Sequence, residues 1–176
     1  MALVKPVIFQ IVGYQNSGKT TFMERLIESL KGQGMISAVI KHHGHGGKPD
    51  IVDNKDSTKY LAAGAAASII EGDGRLLLQV EKWVNSLEHQ IELMSFFDPD
   101  VILIEGYKQK KYPKLLILRD LEDLPLLKSV TNIVAVVYWK ECIRDHLKGH
   151  INIPCFFIKD EVSISWTVNL LKKSVK

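Results

Sequence analysis

Cysteine is almost absent from this chain. Only Cys142 and Cys155 occur, they form no C-x-x-C pair, and no metal-ligand companions lie near them, which excludes a disulfide scaffold and a zinc ribbon. Reduced thiols in a cytoplasm are the expectation. Long apolar runs are missing too. The stretch "VIFQIVG" is short, Gln10 interrupts it, and no small-residue cleavage pattern follows, so it reads as a strand rather than a signal peptide or a membrane span. Charge of one sign is equally scarce: 23 Lys and Arg face 20 Asp and Glu, and an excess of +3 is too small for a nucleic-acid footprint. One local basic cluster stands out, Lys108, Lys110, Lys111 and Lys114; a solvated face and a complement to an acidic partner or a phosphate are both open for it.

What is present is ordinary for a folded protein. Hydrophobic residues at 46% and charged residues at 24% of 176 positions bound one globular domain, residues 1–176, with a single core. Val7 to Val12 is a continuous apolar run of the kind that parallel strands buried on both faces show. After a glycine-containing turn, Phe22, Leu26, Ile27 and Leu30 recur at helical spacing, which predicts a helix from Thr20 to Lys31, stopped by Gly32 and Gly34. "SAVIK" is a second strand. Asp56 to Ala63 reads as a helix, "ASIIEG" and "RLLLQVE" as a strand pair about Gly72-Asp73-Gly74, and Val84 to Phe97 as a helix. "DPDVILIEGY", "KLLILRD", "NIVAVVY" and "CFFIK" are further strands, and Val162 to Lys173 closes the chain as a helix. Strands alternating with helices predict an α/β fold in three layers, a mostly parallel sheet flanked by helices.

The motif that decides the class is Gly13-Tyr14-Gln15-Asn16-Ser17-Gly18-Lys19-Thr20. It matches G-x-x-x-x-G-K-[ST] at each fixed position and sits between a predicted strand and a predicted helix. Backbone N–H groups of Gly13, Gln15, Asn16, Ser17 and Gly18 would turn inward around a polyphosphate, and the helix behind them aims the positive end of its dipole at the same charge. Lys19 would hold the β and γ phosphates, Thr20 would offer its hydroxyl to Mg²⁺, and Thr21 would reach the α phosphate. Such a site needs a strand-end carboxylate, and Glu105 follows four apolar residues, with Gly106 letting the chain pass close to a nucleotide. Asp56, at the start of a predicted helix, is a second metal-ligand candidate or a simple helix cap. Lys159-Asp160 carries half of a guanine-reading pattern.

Four segments together resemble a known family. "GYQNSGKTT", "KHHGH", "KDSTKYLAAGA" and "DPDVILIEGYK" are similar, in order, to motifs of the molybdopterin-guanine dinucleotide biosynthesis adaptor proteins, the MobB family of P-loop GTPases. The resemblance implies a cytoplasmic GTP-binding homodimer using Mg²⁺, with at most slow hydrolysis, that assists the guanylyltransferase attaching GMP to molybdopterin. The molybdopterin-bound cofactor itself is a further expected partner; nucleic acid and membrane are not. Trp83, Trp139 and Trp166 then read as core or dimer contacts.

The loop "KHHGHGG" lies where a nucleotide-sensing segment belongs. Lys41, His42, His43 and His45 could reach a γ phosphate or another anion, with Gly44, Gly46 and Gly47 giving mobility. Histidine also ligates soft metals, so a metallochaperone-type GTPase is a rival, although no cysteine completes a zinc set. A small-molecule P-loop kinase is another; the chain's few arginines, Arg25, Arg75, Arg119 and Arg144, include no local pair for a lid.

Overall fold

The computed structural model describes residues 5–44, 56–81, 86–149 and 151–175, without the side chains of residues 56–58. The expectations on His45, Gly46, Gly47, Trp83 and the Asp56 carboxylate therefore lie outside the described residues.

In chain order the elements are β1 (Val7–Val12), α1 (Lys19–Gly32), β2 (Ser37–Lys41), α2 (Asp56–Ala62), β3 (Ala67–Gly72), β4 (Arg75–Val80) and α3 (Leu87–Ser95). There follow β5 (Val101–Glu105), β6 (Lys114–Leu118), a 3-10 turn at Leu121–Asp123, α4 (Leu126–Ser129), β7 (Ile133–Tyr138), α5 (Glu141–Leu147), β8 (Cys155–Phe157) and α6 (Val162–Ser174). The chain divides into two compact units, one of Met1–Gly44 with Gln90–Lys176, the other of His45–His89.

The larger unit is built on a six-stranded sheet of order β2-β5-β1-β6-β7-β8, every pairing parallel. The mostly parallel sheet expected from the sequence is thus what forms. Alternation along each strand sends side chains to two faces. Phe9, Ile11, Leu103, Leu115 and Ile117 meet Phe22, Leu26 and Leu30 of α1 and Ile164, Val168 and Leu171 of α6. On the other face, Val12, Leu116, Leu118 and Val136 meet Leu126 of α4 and Ile143 and Leu147 of α5. Each such side chain fully removed from water contributes about 1.5–3 kcal/mol, so these two layers dominate the stability.

Helix α1 starts one residue earlier than its apolar spacing implies, at Lys19, because Gly18 at φ 88° turns the chain directly into it. It ends in a Schellman motif: Met35 N–H donates to the Leu30 carbonyl and Gly34, at φ 74°, to that of Lys31. That closure fixes where β2 begins. Helix α3 is shorter than the Val84 to Phe97 expectation at its C-terminal end, where Asp98 adopts φ 47° and breaks the helical path.

One connection is unusual. Strand β5 ends level with Ile11 of β1, and β6 begins level with Gln10 on the opposite side of β1, so residues 106–113 cross β1 without a helix. An irregular crossover has carbonyls without ladder partners, and buried ones need donors. Two side chains supply them. Gln10 Nε2 donates to the carbonyls of Gly106 and Tyr107 at 3.0 and 3.1 Å. Lys114 Nζ donates to those of Lys110 and Tyr112 at 2.6 and 2.7 Å, and also to the Thr131 carbonyl, between α4 and β7, at 2.8 Å.

Lys114 is fully buried, which corrects the sequence reading that grouped it with a solvated or partner-facing basic cluster. Its burial pushes its ammonium below the usual lysine range.

In the smaller unit β3 and β4 form an antiparallel hairpin closed by Asp73 and Gly74, both at positive φ, and α2 packs on β3. Ile69 lies opposite Leu78 and Ile70 opposite Leu77, so both faces of the ribbon are apolar, and all four residues are exposed.

Candidate functional site

The residues between β1 and α1 form a turn that sequence chemistry accounts for locally. Asn16 at φ 56° and Gly18 at φ 88° hold left-handed conformations that wrap the backbone inward. At Gly13 a Cβ would stand 2.6 Å from Ser17 Oγ and 2.7 Å from the Ile117 carbonyl oxygen, so only glycine allows this close passage. Helix α1 then opens with no acidic residue in its first turn and with Lys19 at its start. A cation there opposes the helix dipole, an arrangement that makes sense when an anion is the intended partner.

Lys19 Nζ donates to the Tyr14 carbonyl at 2.6 Å and lies 3.5 Å from Ser17 Oγ. Burial pushes this ammonium below the usual lysine range; Glu105 pulls it back, and the charges of Lys108 and Lys41 add to the lowering.

Register brings the other chemical groups to the same edge. Ile11, Glu105 and Lys41 lie side by side across β1, β5 and β2, and alternation sends Glu105 and Lys41 to the face that carries α1. Glu105 is 9% exposed, and the Thr20 hydroxyl donates to its carboxylate at 3.2 and 3.4 Å. Lys41 Nζ stands 3.4 Å from Thr20 Oγ1 and 3.5 Å from Glu105 Oε2. The hydroxyl and carboxylate expected to receive Mg²⁺ are therefore adjacent, are both oxygen donors suited to a hard cation, and already gather a positive charge. They fit the ion. Asp56, the third expected metal ligand, has its side chain outside the described residues.

His42 continues from β2, its N–H donating to the Glu105 carbonyl at 3.0 Å, and its ring packs on Tyr107 with centroids 4.5 Å apart. Gly106, at φ 95°, passes so close that a Cβ there would lie 3.1 Å from that of His42. The structure thus brings together Gly13, Ser17, Gly18, Lys19, Thr20, Lys41, His42, Glu105 and Gly106. Gln15, Asn16 and Thr21 are exposed on the loop and the first turn. His43 is described but joins no metal set: among the described residues no three His, Cys, Asp or Glu side chains gather as ion ligands.

Sequence reasoning named two further participants without placing either at the loop. Trp139, read as a core or dimer contact, follows β7 and donates its indole N–H to the Ser17 carbonyl at 2.9 Å, while its ring lies against Gly18. Lys108 stands over the Tyr14 ring, 4.6 Å from its centroid. Nothing in linear spacing joins either to the loop; the only signal was their place just past an apolar strand, where ligand crevices of parallel sheets form.

A parallel sheet whose central strand runs into this loop and helix is an α/β fold of the P-loop NTPase type. The family model described as "Molybdopterin guanine dinucleotide synthesis protein B", MobB, matches residues 8–139, and the chain belongs to that family. A Bacillus subtilis protein described as a probable molybdopterin-guanine dinucleotide biosynthesis adapter is 44% identical over 98% of both chains. A crystal structure of Bacillus subtilis MobB superposes with a TM-score of 0.78 at 39% identity, covering 97% of this chain and 98% of that one. A MobB homolog from Bacillus stearothermophilus superposes at 0.75 with 31% identity, covering 94% and 98%.

Proposed function

We propose that this chain is a GTP-binding adapter in molybdopterin-guanine dinucleotide biosynthesis, which holds Mg²⁺-nucleotide in its phosphate loop and assists the guanylyltransferase that joins GMP to molybdopterin. The observation that carries the nucleotide part is the Thr20, Glu105 and Lys41 cluster beside the parked Lys19 ammonium. Family membership carries the pathway.

In this reading Lys19 leaves the Tyr14 carbonyl for the β and γ phosphates, while the backbone N–H groups of residues 13–18 and the start of α1 receive the rest of the chain of phosphates. Thr20 Oγ1 and, directly or through water, the Glu105 carboxylate hold Mg²⁺, which when bound neutralises phosphate charge. Lys41 moves from Glu105 to the phosphates. Any hydrolysis is slow. The metal-delivery and kinase alternatives are not favoured, since the matches above are to proteins of molybdopterin-guanine dinucleotide biosynthesis and Arg25 and Arg144 are engaged in ion pairs with Glu161 and Glu141.

A homodimer belongs to the same proposal. The β3–β4 hairpin exposes apolar side chains on both faces, with Ile69 at 62% and Leu77 at 51% exposure, and a second copy is the partner that would cover them. The cytoplasm suits the two free thiols, and no described helix is long and apolar enough to cross a membrane.

Calorimetric titration of GTP and of ATP with Mg²⁺, on wild type and Lys19→Ala, tests the reading. Selective GTP binding that the substitution abolishes is the expected result, followed by capture of the guanylyltransferase by the GTP-loaded protein. Preferential ATP binding, or no binding of either, overturns it.

A further inference from the structure

We propose that Lys108 is a phosphate-binding residue that reads the length of the polyphosphate, favouring a nucleoside triphosphate over a diphosphate. The proposal rests on the nucleotide reading above and specifies which ligand that site takes.

The backbone that delivers Lys108 is special. Immediately after Glu105 the chain passes through Gly106 at φ 95° and Tyr107 at φ 53°, two consecutive left-handed residues, the second of them not glycine. Tyrosine is uncommon there and holds the conformation only when its surroundings enforce it. Here they do: Gln10 donates to both carbonyls, Gly106 N–H donates to the Ile11 carbonyl at 3.1 Å, and the Tyr107 ring rests on His42. The effect of this enforced turn is to fold the chain back so that the Lys108 ammonium lies over the ring of Tyr14, the second residue of the phosphate loop.

Tyr14 consequently carries two lysines, Lys19 on its carbonyl and Lys108 on its ring, while Lys41 rests on Thr20 and Glu105. Among the described residues, three ammonium groups converge on the loop, and the carboxylate in contact with them is that of Glu105. Asp123, the other carboxylate whose charge reaches Lys19, is buried and receives the Arg119 N–H at 2.6 Å. A half-exposed aromatic face is a weak resting partner for a cation, and a charge-assisted hydrogen bond to phosphate oxygen displaces it.

Position decides which phosphate. Lys108 arrives from the β5 side, three residues beyond the Glu105 carboxylate that would hold Mg²⁺ together with Thr20, the side of the site where that ion would offset the charge of the terminal phosphates. The ammonium therefore belongs to the γ end, where a diphosphate has nothing to offer it.

The test is calorimetric titration of GTP and of GDP, each with Mg²⁺, into wild type, Lys108→Met, Lys108→Arg and, as a control for loss of surface charge, Lys111→Met. Lys108→Met is expected to weaken GTP about tenfold or more and GDP less than about threefold, so that the preference for GTP collapses. Lys108→Arg is expected to restore most of it, and Lys111→Met to leave both constants in place. Equal loss for the two nucleotides, or no loss of GTP affinity, overturns the assignment while leaving the nucleotide reading intact. Failure of wild type to bind either nucleotide overturns both.

Discussion

Replacing Lys114 with methionine probes the energy of the helix-free crossover, because the side chain keeps its unbranched apolar stem, one atom shorter, and loses the ammonium with its donors and its charge. Three carbonyls, at 2.6, 2.7 and 2.8 Å from Nζ, would be left without them. A hydrogen bond to a charged group contributes about 1.5–3 kcal/mol net. Against that sum, the variant no longer carries a desolvated ammonium, a relief of several kcal/mol. The balance predicts a loss of about 2–4 kcal/mol. For a chain of this size that corresponds to a fall in Tm of roughly 5–15 °C. Urea unfolding should show a lower midpoint with an unchanged slope, since the surface exposed on unfolding hardly changes. Lys111→Met, at an exposed position of the same crossover, should stay within about 0.5 kcal/mol of wild type. A Lys114→Met protein as stable as wild type would refute the reasoning: it would mean that desolvation of the ammonium outweighs its three bonds.

Other consequences are as direct. Gly13→Ala places a Cβ against the Ile117 carbonyl oxygen, backbone of a central strand that cannot retreat, so nucleotide binding by calorimetry should vanish and stability fall by about 1–3 kcal/mol. The lowered Lys19 ammonium sets a pH dependence: phosphates favour its protonated form, the free protein loses that proton earlier than an ordinary lysine would, and affinity should therefore decline as pH rises through the depressed value. Titrations in two buffers of different ionisation heat should show proton uptake on binding in that window, and no uptake well below it, where Lys19 is already protonated in the free protein. Thiol labelling should separate the cysteines, since Cys142 is exposed whereas burial pushes the Cys155 thiol up; fast modification should involve one thiol in the folded protein and both in urea.

Much of this architecture was readable in the residues themselves. Parallel strands buried on both faces have to be continuous apolar runs, so β1, β5, β6 and β7 announce themselves, and the phosphate loop is a local motif whose chemistry depends on spacing alone. Glu105 was legible for the same reason, as a charge directly after such a run. What escaped depends on which strands become neighbours. Lys114 looked like the end of a basic surface cluster because the chain order does not disclose that residues 106–113 pass over β1 and need donors beneath them. Trp139 meets Ser17 only because β7 lies next but one to β1, and Lys108 meets Tyr14 only because two left-handed residues reverse the chain. Gln10 was visible as an interruption of an apolar strand, but its purpose appears only with the carbonyls it serves.

The sheet order also sets a schedule for the ribosome. Strand β1 is made first, yet both of its neighbours, β5 and β6, lie beyond residue 100 of the chain. At ordinary elongation rates the nascent segment that includes Phe9, Ile11 and Val12 emerges roughly five to twenty seconds before any strand exists to flank it. Contacts this distant in sequence make folding slow. The strand that will carry the phosphate loop is thus, in the newborn chain, an apolar peptide suited to a chaperone, and it gains its flanking strands only once residues 101–118 have been translated.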